Sequence, residues 1–229
     1  MNEFLQSSLF PVVLTLLAYQ LGLLCQKKAG TPMANPILIA VILVLLALFG
    51  AKVTIADYQA GMAKLSWLMT PATVCLAIPM YEQFQILRKN LRAIGAGVLC
   101  GSLGCLAMVL VFSLAAGFDR TLTVSLLPKS VTSAIGAPLS DLSGGISSIT
   151  TAAIILSGII ANMLSLPLFR LFRLTDPIAQ GVAMGTSGHV IATSKANELD
   201  PLIGAVSSLS LVTAGLLTAA IYPLVVQLL

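Results

Sequence analysis

Residues 121–141 read TLTVSLLPKSVTSAIGAPLSD, an apolar stretch that contains two prolines, a glycine and, near its centre, Lys129. Proline removes a backbone donor and clashes with the preceding helical turn, so a helix here is expected to be kinked, unwound or re-entrant. Within a membrane, a central lysine costs about 2.5 to 3.5 kcal/mol, and such residues usually face a protein interior or a cavity. The stretch therefore predicts a broken segment beside a functional site.

The composition around this stretch is that of an integral membrane protein. Hydrophobic residues make up 58% of the 229 residues and charged residues 9%, and the mean hydropathy is +1.02. Soluble domains are about 45 to 50% apolar. The length predicts a single membrane domain over 1–229, an all-α polytopic bundle of about seven or eight segments, with no room for a soluble enzyme domain. The net charge of +4 is attributed to basic residues that flank the spans, so no nucleic-acid binding is expected.

Two kinds of apolar segment alternate along the chain. Five are long enough, or nearly so, to cross a bilayer as ordinary helices: 5–24, 36–50, 93–117, 146–169 and 202–229. Three are interrupted by proline or glycine: 65–82, 121–141 and 178–197. Irregular backbone at membrane depth persists only inside protein or beside an aqueous cavity, so the three interrupted segments point toward a site.

The basic residues give a topology. With the N-terminus outside, the lysines at 27–28 and the basic residues in 88–92 lie on the cytoplasmic side. The arginines in 170–173 join them if 121–141 enters and returns, and also if there is one additional crossing. The positive-inside bias therefore favours a re-entrant or hairpin segment over a simple crossing, with an additional crossing as the alternative. If 178–197 also returns, the C-terminus lies outside.

One short internal similarity is visible. PATVCLAI from Pro71 and PKSVTSAI from Pro128 share the pattern Pro-x-Ser/Thr-Val-x-x-Ala-Ile. Corresponding broken segments in two halves are typical of transporters that are built from structural repeats. The alternative, which has equal weight, is that the two segments match by chance, because short similarities arise easily in so apolar a chain.

Lys129 and its neighbours have the chemistry of an anion site. Lys129 offers three donors and a positive charge, and Ser130, Thr132 and Ser133 add hydroxyl groups within one turn. Backbone N–H groups freed at a helix break would help to replace the hydration of a small carboxylate. The alternative is that Lys129 snorkels to an interface or pairs with a carboxylate such as Asp141.

The sequence GTSGHVIATSKANE, from Gly185, contains the only histidine of the chain. On a regular helix Gly185, His189 and Thr193 share one face. His189 could bind substrate together with Thr186, Ser187 and Thr193, or it could couple transport to protons. The alternative is a structural histidine that satisfies its hydrogen bonds in the core.

Asn35, directly before Pro36, is read either as a helix N-cap or as a cavity-lining amide. The four cysteines lie in or beside apolar runs and are expected to be small core residues, with no disulfide and no metal site. Common hydrolase, phosphate-loop and metalloprotease motifs are missing, so neither an enzyme activity nor a cofactor is expected.

The segments LLPKSVTSAI, GTSGHVIATSKANELD, NPILIA and PATVCLAIPMYEQ resemble those of the LrgB/CidB family in order and spacing, over nearly the whole chain. A plant relative forms part of the plastid glycolate/glycerate carrier. This chain departs from the family pattern at Ala134, where the pattern has proline, and at Ser187–Gly188, where it has Ala-Ser.

The resemblance implies a multi-pass protein of the bacterial inner membrane, often accompanied by a smaller holin-like LrgA/CidA-type membrane partner. It also implies two functions: transport of small monocarboxylates or 2-hydroxy acids such as pyruvate, lactate, acetate and glycolate, and antiholin-like control of murein hydrolases and lysis. An anion channel is a third hypothesis. A homodimer is expected because three broken segments need shielding from lipid, and lysis control would use a small-residue face at Gly97, Gly101 and Gly104.

Overall fold

The structure is a computed structural model that describes residues 9–29, 35–68, 71, 74–75 and 77–229. These residues form helices joined by short connections, and no strand occurs among them. The predicted all-α architecture is therefore confirmed. The chain divides into two compact units, residues 1–75 and 76–229. That the whole chain is one membrane domain stays a prediction.

The first unit contains three described helices: α1 (Leu9–Ala29), α2 (Pro36–Ala51) and α3 (Ile55–Ser66). Proline at the first position of α2 has its φ angle pre-set for a helix, and it lacks only an N–H that would be unpaired there. At the other end Lys52 adopts a left-handed conformation, with φ of 53°, and α2 stops. The helix axis then bends by 120° into Ile55–Ala63.

The second unit contains eight described helices, and most of them fall within the apolar segments identified from the sequence. They are α4 (Ala77–Glu82), α5 (Phe84–Lys89), α6 (Leu91–Ala115), α7 (Arg120–Leu126), α8 (Ser133–Leu142), α9 (Ser147–Leu171), α10 (Pro177–Leu199) and α11 (Pro201–Val226).

By length and composition, α1, α6, α9 and α11 are long and apolar enough to cross a membrane, and the bent pair that starts with α2 is a fifth candidate. These five coincide with the five predicted ordinary spans. The interruption predicted in 65–82 falls partly outside the described residues, as does the first copy of the proposed repeat. The repeat therefore stays a prediction.

Helix α6 and the first half of α10 run in the same direction. A Cβ placed on Gly97 would lie 3.0 Å from Val182, and one on Gly101 would lie 3.1 Å from the Thr186 hydroxyl. A step of four residues along α6, from Gly97 to Gly101, therefore matches a step of four residues along α10, from Val182 to Thr186. Close approach of this kind requires small residues, which explains the two glycines.

Segment 120–146 is a re-entrant hairpin, which is one of the two courses that the charge pattern allowed. The chain returns to α7 after α8, because the Ile146 N–H donates to the Ser125 hydroxyl, near the end of α7, at 2.8 Å and a Cβ on Gly144 would lie 3.9 Å from the Arg120 guanidinium. The short helices α7 and α8 run in opposite directions, joined by the irregular residues 127–132.

Helix α10 is a second re-entrant hairpin. His189 has φ of 40° and ψ of −140°, which no helix accommodates. Gly185 and Thr193 both contact Ser207 of α11: a Cβ on Gly185 would meet the Ser207 carbonyl oxygen, and the Thr193 and Ser207 hydroxyls are 2.8 Å apart. In a straight helix residues 185 and 193 would be about 12 Å apart along the axis. The chain therefore reverses at His189.

The two hairpins enter from opposite ends of the second unit. One end, called here the Arg120 end, carries Arg120 and Gly144, and the tip of α11 also lies there because the Tyr222 hydroxyl donates to the Val124 carbonyl at 3.1 Å. The other end, the Arg170 end, carries the end of α9 and both ends of α10. Leu174 and Leu199 pack on one cluster there with Ile203.

The cysteines do not fit their prediction as core residues. Cys25, Cys75 and Cys100 are exposed and Cys105 is half-buried, all as free thiols. A small apolar side chain fits a lipid-facing helix surface as well as a core, so the apolar context alone could not distinguish the two locations.

Candidate functional site

The tip of the first hairpin places Lys129 at about half the depth of the bundle. The Ser157 hydroxyl on α9 donates to the Lys129 carbonyl oxygen at 2.6 Å. Ser157 lies ten residues after the start of α9, or about 15 Å along its axis. Ser157 is therefore close to the middle of this 25-residue helix.

The Lys129 ammonium has no ion-pair or hydrogen-bond partner among the described residues. Asp141, the carboxylate considered from sequence, instead accepts from the Ser147 N–H at 3.2 Å, at the start of α9. The pair that the described residues do form is Lys195 with Glu198, at 2.8 Å. Lys129 therefore has its donors available for a ligand, and the structural alternative of a pair with Asp141 is wrong.

The tip of the second hairpin meets the same part of α9. His189 Nε2 lies 2.8 Å from the Ile154 carbonyl oxygen, and because a carbonyl can only accept, Nε2 carries the proton. Gly158 leaves room for the ring, since a Cβ there would lie 2.6 Å from His189 Cε1. One turn of α9, Ile154–Gly158, thus holds both tips.

This geometry corrects one expectation. His189 does not share a face with Gly185 and Thr193, because the break reverses the chain at His189 itself. Gly185 and Thr193 pack against Ser207 of α11, whereas His189 points to α9. The periodicity of an unbroken helix placed His189 on the same face as Gly185 and Thr193. That prediction is wrong because the chain reverses at His189.

The other predicted site residues of the second unit lie in two places, next to Lys129 on the first hairpin and on α10. Beside Lys129, Ser130 is buried, Thr132 forms the N-cap of α8 without a side-chain capping bond, and Ser133 begins that helix. On α10, Thr186 donates to the Val182 carbonyl at 2.8 Å and faces α6, so it is not part of the Lys129 group. Ser187 is exposed and lines the same cavity as Lys129.

Asn35 lies in the first unit and has the role of an N-cap. It is 2% exposed, and its Oδ1 accepts from the Ile37 and Leu38 N–H groups at 2.8 and 3.3 Å. These bonds satisfy two donors that every helix start leaves unpaired. The capping interpretation is confirmed, and the cavity-lining one has no support in these contacts.

A cavity of about 500 Å³ extends from Lys129 between α9 and α10. Its polar lining consists of Lys129, Ser157, Ser165 and Ser187, and the rest is aliphatic or aromatic. None of the described lining residues is acidic. The sequence did not single out Ser157, because a serine within the apolar run 146–169 carries no signal until the hairpin tip is placed beside it.

The described residues contain no group of three or more His, Cys, Asp or Glu side chains that could hold a metal ion. The arrangement is instead one cation and several hydroxyl groups at the meeting point of two broken segments. An unpaired cation of this kind suits an anion.

The structure thus defines a multi-pass helical membrane protein with two opposed re-entrant hairpins whose tips meet near mid-depth. The family model described as LrgB-like family matches residues 15–228. The chain therefore belongs to the LrgB-like family. No solved structure matches it.

Proposed function

We propose that the protein is a secondary carrier for small monocarboxylates or 2-hydroxy acids of the pyruvate, lactate, acetate and glycolate class. The observation that carries the proposal is the Lys129 ammonium, which has no partner among the described residues and lines a cavity between α9 and α10. An uncompensated cation at this depth is costly, and a bound carboxylate reduces that cost.

Other groups near Lys129 suit the same ligand. Helix α8 is ten residues long and starts at Ser133 without a side-chain cap, so its first N–H groups and its dipole favour an anion at that helix start, although its residues do not line the cavity itself. Ser157 and Ser187 also line the cavity, and each donates its hydroxyl proton to a backbone carbonyl, that of Lys129 and that of Ala183, at 2.6 Å in both cases. Their oxygens are therefore acceptors in the cavity, which suits the hydroxyl group of a 2-hydroxy acid.

The opposed hairpins favour a carrier over a channel. Carriers of this kind place their site at the meeting point of discontinuous segments and open it alternately to the two sides. Here each hairpin is a separate element that contacts Ile154–Gly158 from one end. Movement of either hairpin away from α9 would open the site toward its own end, without a continuous pore.

The orientation follows from the basic residues. The Arg170 end carries Arg170 and Arg173, and because α6 starts at the same end as α10, the residues Arg88, Lys89 and Arg92 lie there too. The positive-inside rule assigns this end to the cytoplasm. Applied to the sequence of the first unit, the same rule makes Lys27 and Lys28 cytoplasmic. We therefore propose that the N-terminus lies outside, in the inner membrane of a bacterium.

The test is counterflow of labelled pyruvate, lactate, acetate and glycolate in proteoliposomes. Saturable counterflow that disappears in Lys129→Ala is expected. Current that rises with voltage and does not saturate would indicate a channel, and wild-type flux in Lys129→Ala would refute the site. A thermal-shift screen of the same acids on purified protein separates loss of binding from loss of movement.

Lysis control with a smaller holin-like membrane partner is a second candidate, favoured by membership of the LrgB-like family. The face expected to support assembly is largely occupied, because Gly97 and Gly101 pack on α10 within the chain; a Cβ on Gly104 would meet no atom within 4 Å. A homodimer or a partner complex would therefore use other surfaces. Lysis defects that follow transport defects, variant by variant, would make lysis control secondary.

A further inference from the structure

The cavity at Lys129 is much larger than a two- or three-carbon acid. Its volume of about 500 Å³ lies in the range of about 300 to 1,000 Å³ that drug-sized ligands occupy. Its wall on α9 runs from Ala153 to Phe169, sixteen residue steps or about 24 Å. A carboxylate at Lys129 would leave most of this length empty.

The chemistry of the wall changes along its length. Lys129 and Ser157 lie near one end, at mid-depth. From there toward the Arg170 end the wall on α9 is mainly aliphatic, and Phe169 lies at its far limit. The cavity thus has one charged end and one long apolar arm, which is the pattern that complements an amphiphilic anion.

The arm is accessible from the hydrocarbon region. Leu156, Ile160 and Leu164 line it and are themselves 55%, 53% and 39% exposed. An apolar chain can therefore enter sideways between α9 and α10, while the charged head reaches Lys129. The hydroxyl groups of Ser165 and Ser187 interrupt the arm without adding charge.

We infer that this site takes monocarboxylates with an apolar tail, the carboxylate at Lys129 and the tail along α9. The inference rests on the proposed function, because it uses the same anion site, but it sets a different substrate class. Affinity rises with chain length until the arm is filled. A methylene group buried in an apolar site contributes about 0.8 kcal/mol, which is about a threefold to fourfold gain in affinity for each added carbon.

The experiment measures binding of acetate, butanoate, hexanoate and octanoate to the protein in lipid nanodiscs, with empty nanodiscs subtracted for partition into lipid. Octanamide, which has the same chain as octanoate without the charge, is the matched control ligand. Ala183→Leu narrows the arm, so it is expected to reduce the ratio of octanoate to acetate affinity. Gly104→Ala, which lies in open space on α6, is the control and leaves that ratio unchanged.

The outcomes are separable. Affinity that rises along the series, requires the charge and falls for octanoate in Lys129→Met supports the inference. Affinity that is flat or highest for acetate overturns it and leaves the carrier proposal standing. Octanamide binding as tightly as octanoate overturns it by showing that the arm holds any acyl chain, such as that of a phospholipid. If no acid of any length binds, the proposed function fails as well.

Discussion

Replacing Gly158 by alanine tests whether the two hairpin tips meet on α9. A Cβ at this position would lie 2.6 Å from His189 Cε1, 2.7 Å from Nε2 and 3.0 Å from Ile191 Cδ1. The ring cannot retreat freely, because Nε2 is bonded to the Ile154 carbonyl oxygen. Gly158→Ala therefore forces the tip of α10 away from α9 and breaks that bond.

The expected loss of stability has three parts. Overpacking costs about 1 to 3 kcal/mol, and loss of the buried hydrogen bond adds about 1 kcal/mol. Alanine in place of glycine within α9 returns about 1 kcal/mol of helix propensity. The net decrease in the free energy of unfolding is about 1 to 3 kcal/mol.

Denaturant unfolding in detergent measures this decrease, and two variants make it specific. Gly104→Ala, with no atom within 4 Å of the new Cβ, is expected to be neutral or stabilising. In a His189→Ala background the clash with the imidazole ring is gone and only the 3.0 Å contact with Ile191 Cδ1 remains, so Gly158→Ala should cost at least about 1 kcal/mol less than in the wild type. If Gly158→Ala is as harmless as Gly104→Ala, or if the two substitutions are additive, the tip of α10 does not lie on α9.

Three further predictions concern the anion site and the topology. Lys129→Met is expected to reduce carboxylate affinity about tenfold to a hundredfold, because a charge-assisted hydrogen bond is lost, and it should not lower the melting temperature. The control Lys195→Met should leave the affinity unchanged. Isothermal titration measures the affinities and thermal unfolding measures the melting temperatures. Ser157→Ala, which frees the Lys129 carbonyl, should raise KM in transport, and Ser157→Thr should restore it; equal KM values for all three proteins would contradict a positioning role. Single cysteines at Gly144 and Arg173, in a background without the native cysteines, should react with an impermeant thiol reagent from opposite sides of sealed vesicles.

Much of the architecture could be predicted from local sequence. The apolar runs gave the membrane-crossing helices because hydrocarbon admits little else, and the interruptions in 121–141 and 178–197 marked the two hairpins. For 121–141 the charge pattern favoured a hairpin over a simple crossing, since the arginines in 170–173 join the other basic residues if the chain returns, but an additional crossing satisfied the same pattern. The contact between Ser125 and Ile146 shows that the chain returns.

Prediction failed where a long-range contact decided the outcome. The sequence grouped Thr186 with His189, but Thr186 faces Gly101 on α6. Ser157 was missed, because its role depends on a bond to Lys129, 28 positions away. Such partners are set by packing of helices that are remote in sequence, and no local pattern records them.

The sequence by itself determined that the protein lies in a membrane, that its helices are broken at Lys129 and near His189, and that a cation lies within an apolar region. These properties follow from hydropathy, from proline and glycine, and from the cost of charge in hydrocarbon, all of which are local. Only the tertiary structure decided that α10 reverses, that both tips meet on Ile154–Gly158, and that Lys129 has no partner among the described residues. These properties depend on which surfaces pack together, and that is fixed only when the whole bundle has formed.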